Sequence, residues 1–100
     1  MARRSSSEQN KHNQEVRRVV KNLKSQGYKV QADLPGYDNP DPIGKYGFVP
    51  DVTATKNRRT KLIEVETPSS VNRDKKQHSA FRRSAAQRPN ATFDIVVTDG

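Results

Sequence analysis

The chain contains no cysteine, which excludes disulfide bonds and zinc–thiolate sites and leaves the redox compartment open. No apolar run comes near the roughly 18 residues of a membrane span, and nothing resembles a signal peptide. A soluble, cytoplasmic protein is therefore expected. Large apolar side chains are also scarce. Leu, Ile, Val and Phe make up 19 of the 100 residues, and 11 acidic residues face 19 Lys and Arg, for a net charge of +8. Those values lie at the edge of the disordered regime. The few apolar residues, however, fall in periodic blocks separated by Pro, Gly, Asn and Asp, the pattern of a small folded domain. The expected organisation is a flexible basic arm over residues 1–9 and one domain over residues 10–100. So basic a surface calls for a polyanionic partner, nucleic acid being the commonest.

Val16, Val19, Val20 and Leu23 fall on one face of a helix over roughly residues 10–26, with Gly27 placed to end it. Alternation in "YKVQAD", Tyr28 to Asp33, marks a half-buried strand. The next 14 residues, "LPGYDNPDPIGKYG", hold three prolines and three glycines, and form a long loop of the kind that carries function. Asp51–Lys56 and Lys61–Thr67 read as a hairpin closed by the polar turn "NRR". A helix over 71–87 follows, its thin apolar stripe made by Val71, His78, Phe81 and Ala85. The strand "TFDIVVTD", apolar on both faces at Ile95-Val96-Val97, suits a central place in the sheet. The order αβββαβ implies a small mixed sheet flanked by helices, with the last strand returning parallel to the hairpin's second strand.

Within the hairpin, Glu64 and Glu66 share one face of their strand while Ile63 and Val65 take the other. Ordinary pairing brings Asp51 to the same side. Three carboxylates converging at one sheet end repel one another unless a cation sits among them. Hard oxygen donors suit Mg²⁺ or Mn²⁺. Solvent-facing carboxylates paired with Arg58, Arg59 or Lys61 are the plainer reading of each one singly. His12 and His78 have no metal-ligand spacing and read as non-catalytic.

The "PD" of Pro50-Asp51, a strand, a turn and a strand ending in Glu64-Val65-Glu66 resemble the PD-(D/E)XK nuclease superfamily, of restriction-endonuclease-like fold. The likeness is nearest to the small archaeal Holliday-junction resolvases and covers roughly residues 11–98. It implies a metal-dependent DNA endonuclease acting on branched or duplex DNA as a homodimer. Asp51, Glu64 and the Val65 carbonyl would hold Mg²⁺ or Mn²⁺. Glu15 matches the acid that the first helix often adds, or is simply a first-turn charge that favours the helix dipole. The superfamily's lysine position holds Glu66 here. Glu66 then does the work itself, or a lysine has migrated (Lys75 or Lys76, or Lys56), or the site is degenerate and the chain binds nucleic acid without cutting it. Gln77 corresponds to a glutamine that faces the site in several branches, and is otherwise an exposed helix residue.

Arg58, Arg59, Arg73, Lys75, Lys76, Arg82, Arg83 and Arg88 are candidate phosphate contacts, with Arg3 and Arg4 in the arm. None forms a base-reading motif, so recognition of shape is expected over recognition of sequence. Tyr37, Tyr46 and Phe48 in the long loop either stack on exposed bases, anchor the loop or form a dimer contact.

Overall fold

The computed structural model describes residues 6–68, 70–71 and 74–98. Its elements are helix α1 (Ser6–Ser25), strands β1 (Lys29–Ala32), β2 (Val52–Lys56) and β3 (Arg59–Glu66), helix α2 (Lys75–Gln87) and strand β4 (Ala91–Val97). The sheet order is β1-β2-β3-β4, with β1/β2 and β2/β3 antiparallel and β3/β4 parallel. The result is a small α/β domain with a four-stranded mixed sheet and two helices. Among the described residues, no helix is long and apolar enough to cross a membrane.

Helix α1 buries Val16, Val20 and Leu23 against Ala32, Val52, Ala54, Ile63 and Val65 of the sheet. Its C-terminus closes as the sequence pattern predicts. Gly27, at φ +89°, donates to the Lys24 carbonyl and Tyr28 to that of Leu23, the paired bonds of a Schellman motif. The N-terminus differs: the helix starts at Ser6, so residues 6–9 of the expected arm are helical. The rest of the arm, with Arg3 and Arg4, lies outside the described residues.

The β2–β3 connection is tighter than "NRR". Asn57 and Arg58 both take positive φ, 49° and 69°, and Arg59 pairs with Lys56. A two-residue turn with both central residues left-handed matches the twist of its strands.

Alternation along β3 sorts its side chains between two cores. Ile63 and Val65 join the α1 cluster, whereas Leu62 packs with Ile43 and Phe81 of α2, flanked by Phe48 and Phe93. The helices therefore cover opposite faces of the sheet, and Glu64 and Glu66 have the parity of the α2 face.

Two expectations are corrected. The run Ile95-Val96-Val97 is not in a central strand: β4 is an edge, and Val97 is 46% exposed. An edge strand between two helix-covered faces still uses apolar residues on both. Val96 reaches the α1 cluster and Phe93 the α2 cluster. Second, α2 starts at Lys75 and not at residue 71. After β3 the chain turns at Thr67–Val71, where the Ser70 and Val71 amides donate to the Thr67 carbonyl.

The long loop is pinned at its base. Ile43 and Phe48 exchange backbone hydrogen bonds of 2.7 and 3.0 Å. Both side chains enter the α2 core, Phe48 partly, while Tyr46 projects between them. Tyr37 packs against the α1 cluster. Tyr37 and Phe48 thus anchor, and Tyr46, tilted against the Phe48 ring at 5.9 Å, stays largely exposed.

Candidate functional site

Asp51 sits one residue before β2, and its register neighbour Val52 pairs with Ile63. This brings Asp51 beside Glu64. The Asp51 amide donates to Glu64 Oε1 at 2.9 Å, and the Val65 amide donates to Asp51 Oδ2 at 2.8 Å. Each carboxylate is thus held by a backbone donor at the C-terminal end of β3. Gln77, from the first turn of α2, donates to Glu64 Oε2 at 3.3 Å, and His12 Nε2 of α1 lies 3.2 Å from Asp51 Oδ2. Elements from both faces of the sheet therefore close on the pair. They line a cavity of about 420 Å³ together with Gln9, Asn13 and Asp33.

Glu66 occupies a different environment. It is fully buried and is not among the residues lining that cavity. Ser70 Oγ donates to Glu66 Oε2 at 2.5 Å, and His78 Nε2 stands 3.4 Å from Oε1. Ser70 also receives the Thr67 amide at 3.0 Å, so Glu66 and the turn after β3 stabilise one another. Asp74 is the residue before α2, but its side chain caps no amide of the helix. It lines the cavity and bears on Glu66 from that side.

Burial, then the charge of Asp51, push the Glu64 carboxyl up to about 10, against a partial offset from the Asp51 amide. Glu66 is also raised, first by burial and then by Asp74, with the Ser70 and His78 hydrogen bonds opposing. A site so short of positive charge takes either a proton or a cation. The donor chemistry fits a cation: carboxylate oxygens predominate, and Glu64, Glu66 and His78 offer ligand atoms that all lie within 4.8 Å of one another. An imidazole in that set widens the choice beyond Mg²⁺ toward Mn²⁺ and other transition metals.

The other site residues named from sequence divide clearly. Gln77 joins the centre. Glu15 does not line the cavity and is instead paired with Arg18 one turn along α1. Lys56 donates to the Gln26 carbonyl and sits over the Tyr28 ring, at the far end of β2. Lys75 and Lys76 are exposed along a separate groove that also includes Arg83. None of the three lysines reaches the cavity lining in place of the missing one. Arg58 and Arg59 flank the hairpin tip, five residues and roughly 17 Å along β3 from Glu64. Arg82 lies over the Phe93 ring at 5.5 Å, and Arg73 lies outside the described residues.

His12, His78, Ser70 and Asp74 were not singled out from sequence for the site. His12 did carry a signal: it stands four residues before Val16, continuing the row of Val16 and Val20 that α1 buries. A histidine on a buried row requires a polar partner, and here the partner is Asp51. His78 was legible as part of the apolar stripe of α2, and its partner Glu66 was not. Comparison with family models, with curated proteins and with solved structures finds no match to this chain.

Proposed function

We propose that this chain is a metal-dependent DNA endonuclease of restriction-endonuclease-like fold. The observation that carries the reading is the Asp51–Glu64 pair, latched by backbone amides and short of positive charge beside an open cavity. The αβββαβ order and the mixed pairing of the sheet agree with the core that the sequence resemblance implies. Asp51 and Glu64 hold Mg²⁺ or Mn²⁺ in this reading, with the Val65 carbonyl as a third ligand. Such an ion supplies Lewis-acid stabilisation to a phosphodiester and to its attacking nucleophile. The chain's own part is orientation. Amides fix the two carboxylates, His12 holds Asp51, and Gln77 holds Glu64. A second copy of the chain is the proposed partner on branched DNA, where two strands are cut, and the β4 edge with Val97 is the surface it would meet.

One observation favours a second reading, nucleic-acid binding without cleavage. Among the described residues lining the cavity none is Lys or Arg, and the residue at the superfamily's lysine position, Glu66, is buried. A cleavage assay with Mg²⁺ and with Mn²⁺ on labelled junction, flap, duplex and single-stranded DNA decides between them. Cleavage that Asp51→Asn and Glu64→Gln both abolish, with DNA binding kept, is the outcome expected. Salt-sensitive binding without cleavage of any substrate would leave the second reading standing.

A further inference from the structure

Beside the acidic cavity runs a second depression, a groove of about 630 Å³ between the 44–48 loop and the outer face of α2. Phe48 lines both, so the two are neighbours. The groove's side chains come from helical positions that alternate with the buried row His78, Phe81 and Ala85. Ser79, Ala80 and Ser84 make a floor of small residues, and Lys75, Lys76 and Arg83 stand along it. The loop closes down on this floor at Gly44. A Cβ there would lie 3.6 Å from Ala80 Cβ, and the residue's φ of +76° is one that glycine takes without strain.

Tyr46 is the decisive feature. It is 74% exposed on a loop whose other large side chains, Ile43 and Phe48, are committed to the core. Its ring stands at the groove's rim with Lys45 Nζ 5.8 Å from the centroid. The ring is tilted against that of Phe48 at 5.9 Å, which steadies it at the rim while most of its surface stays exposed beside four cations. That combination matches a nucleic-acid strand whose bases are unpaired. Phosphates meet the Lys and Arg, and a base stacks on the ring. A duplex keeps its base faces within its own stack and offers the ring nothing equivalent. From Lys75 to Gln87 the helix runs roughly 18 Å, the length of about five stacked phosphates on one strand.

We propose that this groove binds single-stranded DNA, with one base on Tyr46, and leads the strand to the Asp51–Glu64 cavity. The inference rests on the endonuclease reading for what happens to the strand, and on the groove alone for its binding. The test is therefore made without metal. Fluorescence anisotropy in a chelator would follow labelled single-stranded DNA, the same sequence as a duplex, and its RNA counterpart. Tyr46→Ala should weaken single-stranded binding about tenfold or more and leave duplex binding unchanged, while Tyr46→Phe restores it. Arg83→Ala should lower the salt slope for the single strand by about 0.7. Equal losses on single strand and duplex, or no loss, would overturn the proposal, as would tighter binding of the RNA. Displacement of the DNA by an equally charged acidic polypeptide at equal concentration would assign the groove to protein instead. Because no cleavage is read, failure of the endonuclease reading leaves these outcomes intact.

Discussion

The Asp51 amide and the Glu64 carboxylate are joined at 2.9 Å, and the amide next to Glu64, that of Val65, reaches back to Asp51 Oδ2 at 2.8 Å. Two carboxyl groups are therefore locked together by their own backbones, before any ligand arrives. The latch depends on strand register, since Asp51 reaches Glu64 only while Val52 pairs with Ile63. Preorganised oxygens of this kind bind a cation without the cost of ordering them first.

The first prediction concerns stability without metal. In the folded chain the Glu64 carboxyl is pushed up to about 10, against an ordinary value of 4.5. Between those values the folded state holds a proton that the unfolded chain releases. Stability from this group is thus fullest below about 4.5 and is lost as pH rises toward 10, by at most about 1.4 kcal/mol per pH unit. Glu66, also raised, acts in the same direction. Thermal unfolding in a chelator should give a melting temperature that falls from pH 5 to pH 9. Glu64→Gln should flatten that fall, and Mn²⁺ should raise the midpoint more at pH 8 than at pH 5. A midpoint that rises over this range, with Glu64→Gln making no difference, would contradict the crowding described above.

His12 is expected to position Asp51 rather than to carry protons. Its two ring nitrogens face Asn13 Oδ1 at 3.3 Å and Asp51 Oδ2 at 3.2 Å, an arrangement that spans α1 and the cavity. Glutamine can still donate toward Asp51 but does not titrate. His12→Gln should therefore keep cleavage within about tenfold and leave the shape of the pH–rate profile unchanged, whereas His12→Ala loses both fold stability and activity. A general base contributes about a hundredfold or more. A loss of that size in His12→Gln, with one limb of the profile gone, would make His12 the base.

The fold was largely legible because its signals are local. A helical row at Val16, Val20 and Leu23, alternation at Tyr28–Asp33 and a polar turn between two short apolar strands each need only a few neighbouring residues. The misplaced β4 shows the limit of that reading. An apolar run records what covers the faces of a strand, here the two helices, and is silent on whether its edges are paired. Within the site, parity alone brought Asp51 and Glu64 together. Parity also put Glu66 with them, and it failed to say that Ser70 and His78 would take Glu66 out of the cavity wall. Those contacts span four and twelve residues through a turn that no periodicity describes.

Glu66 therefore gives a separate prediction. Its hydrogen bonds run to Ser70 and His78. It meets the cavity only through its neighbours Glu64, Ser70 and Asp74, which line it, and is not itself part of the lining. Glu66→Gln preserves the shape and an acceptor for Ser70, so cleavage should stay within about tenfold of the parent while Glu64→Gln abolishes it. Glu66→Ala leaves the buried Ser70 hydroxyl and His78 ring without that partner and should cost about 1–3 kcal/mol in chemical denaturation. If Glu66→Gln proved as damaging to cleavage as Glu64→Gln, the ion would have to sit lower, among Glu64, Glu66 and His78.

The arginines separate by distance. Arg83 lines the groove next to the cavity, whereas Arg58 and Arg59 stand roughly 17 Å along β3 from Glu64. That span corresponds to about five base pairs of duplex. The groove's lining includes neither Arg58 nor Arg59, so a short single strand seated on Tyr46 and Arg83 is expected to leave the tip free, and a duplex laid along the sheet to reach it. The double variant Arg58→Ala/Arg59→Ala should lower the salt slope for duplex binding by up to about 1.8 and leave a short single strand unaffected. Arg83→Ala should weaken the single strand. Anisotropy titrations over a series of salt concentrations read both. Should the tip variant weaken the short strand as much as Arg83→Ala does, the strand would have to run along the hairpin, and the groove would lose its claim as the path to Asp51 and Glu64.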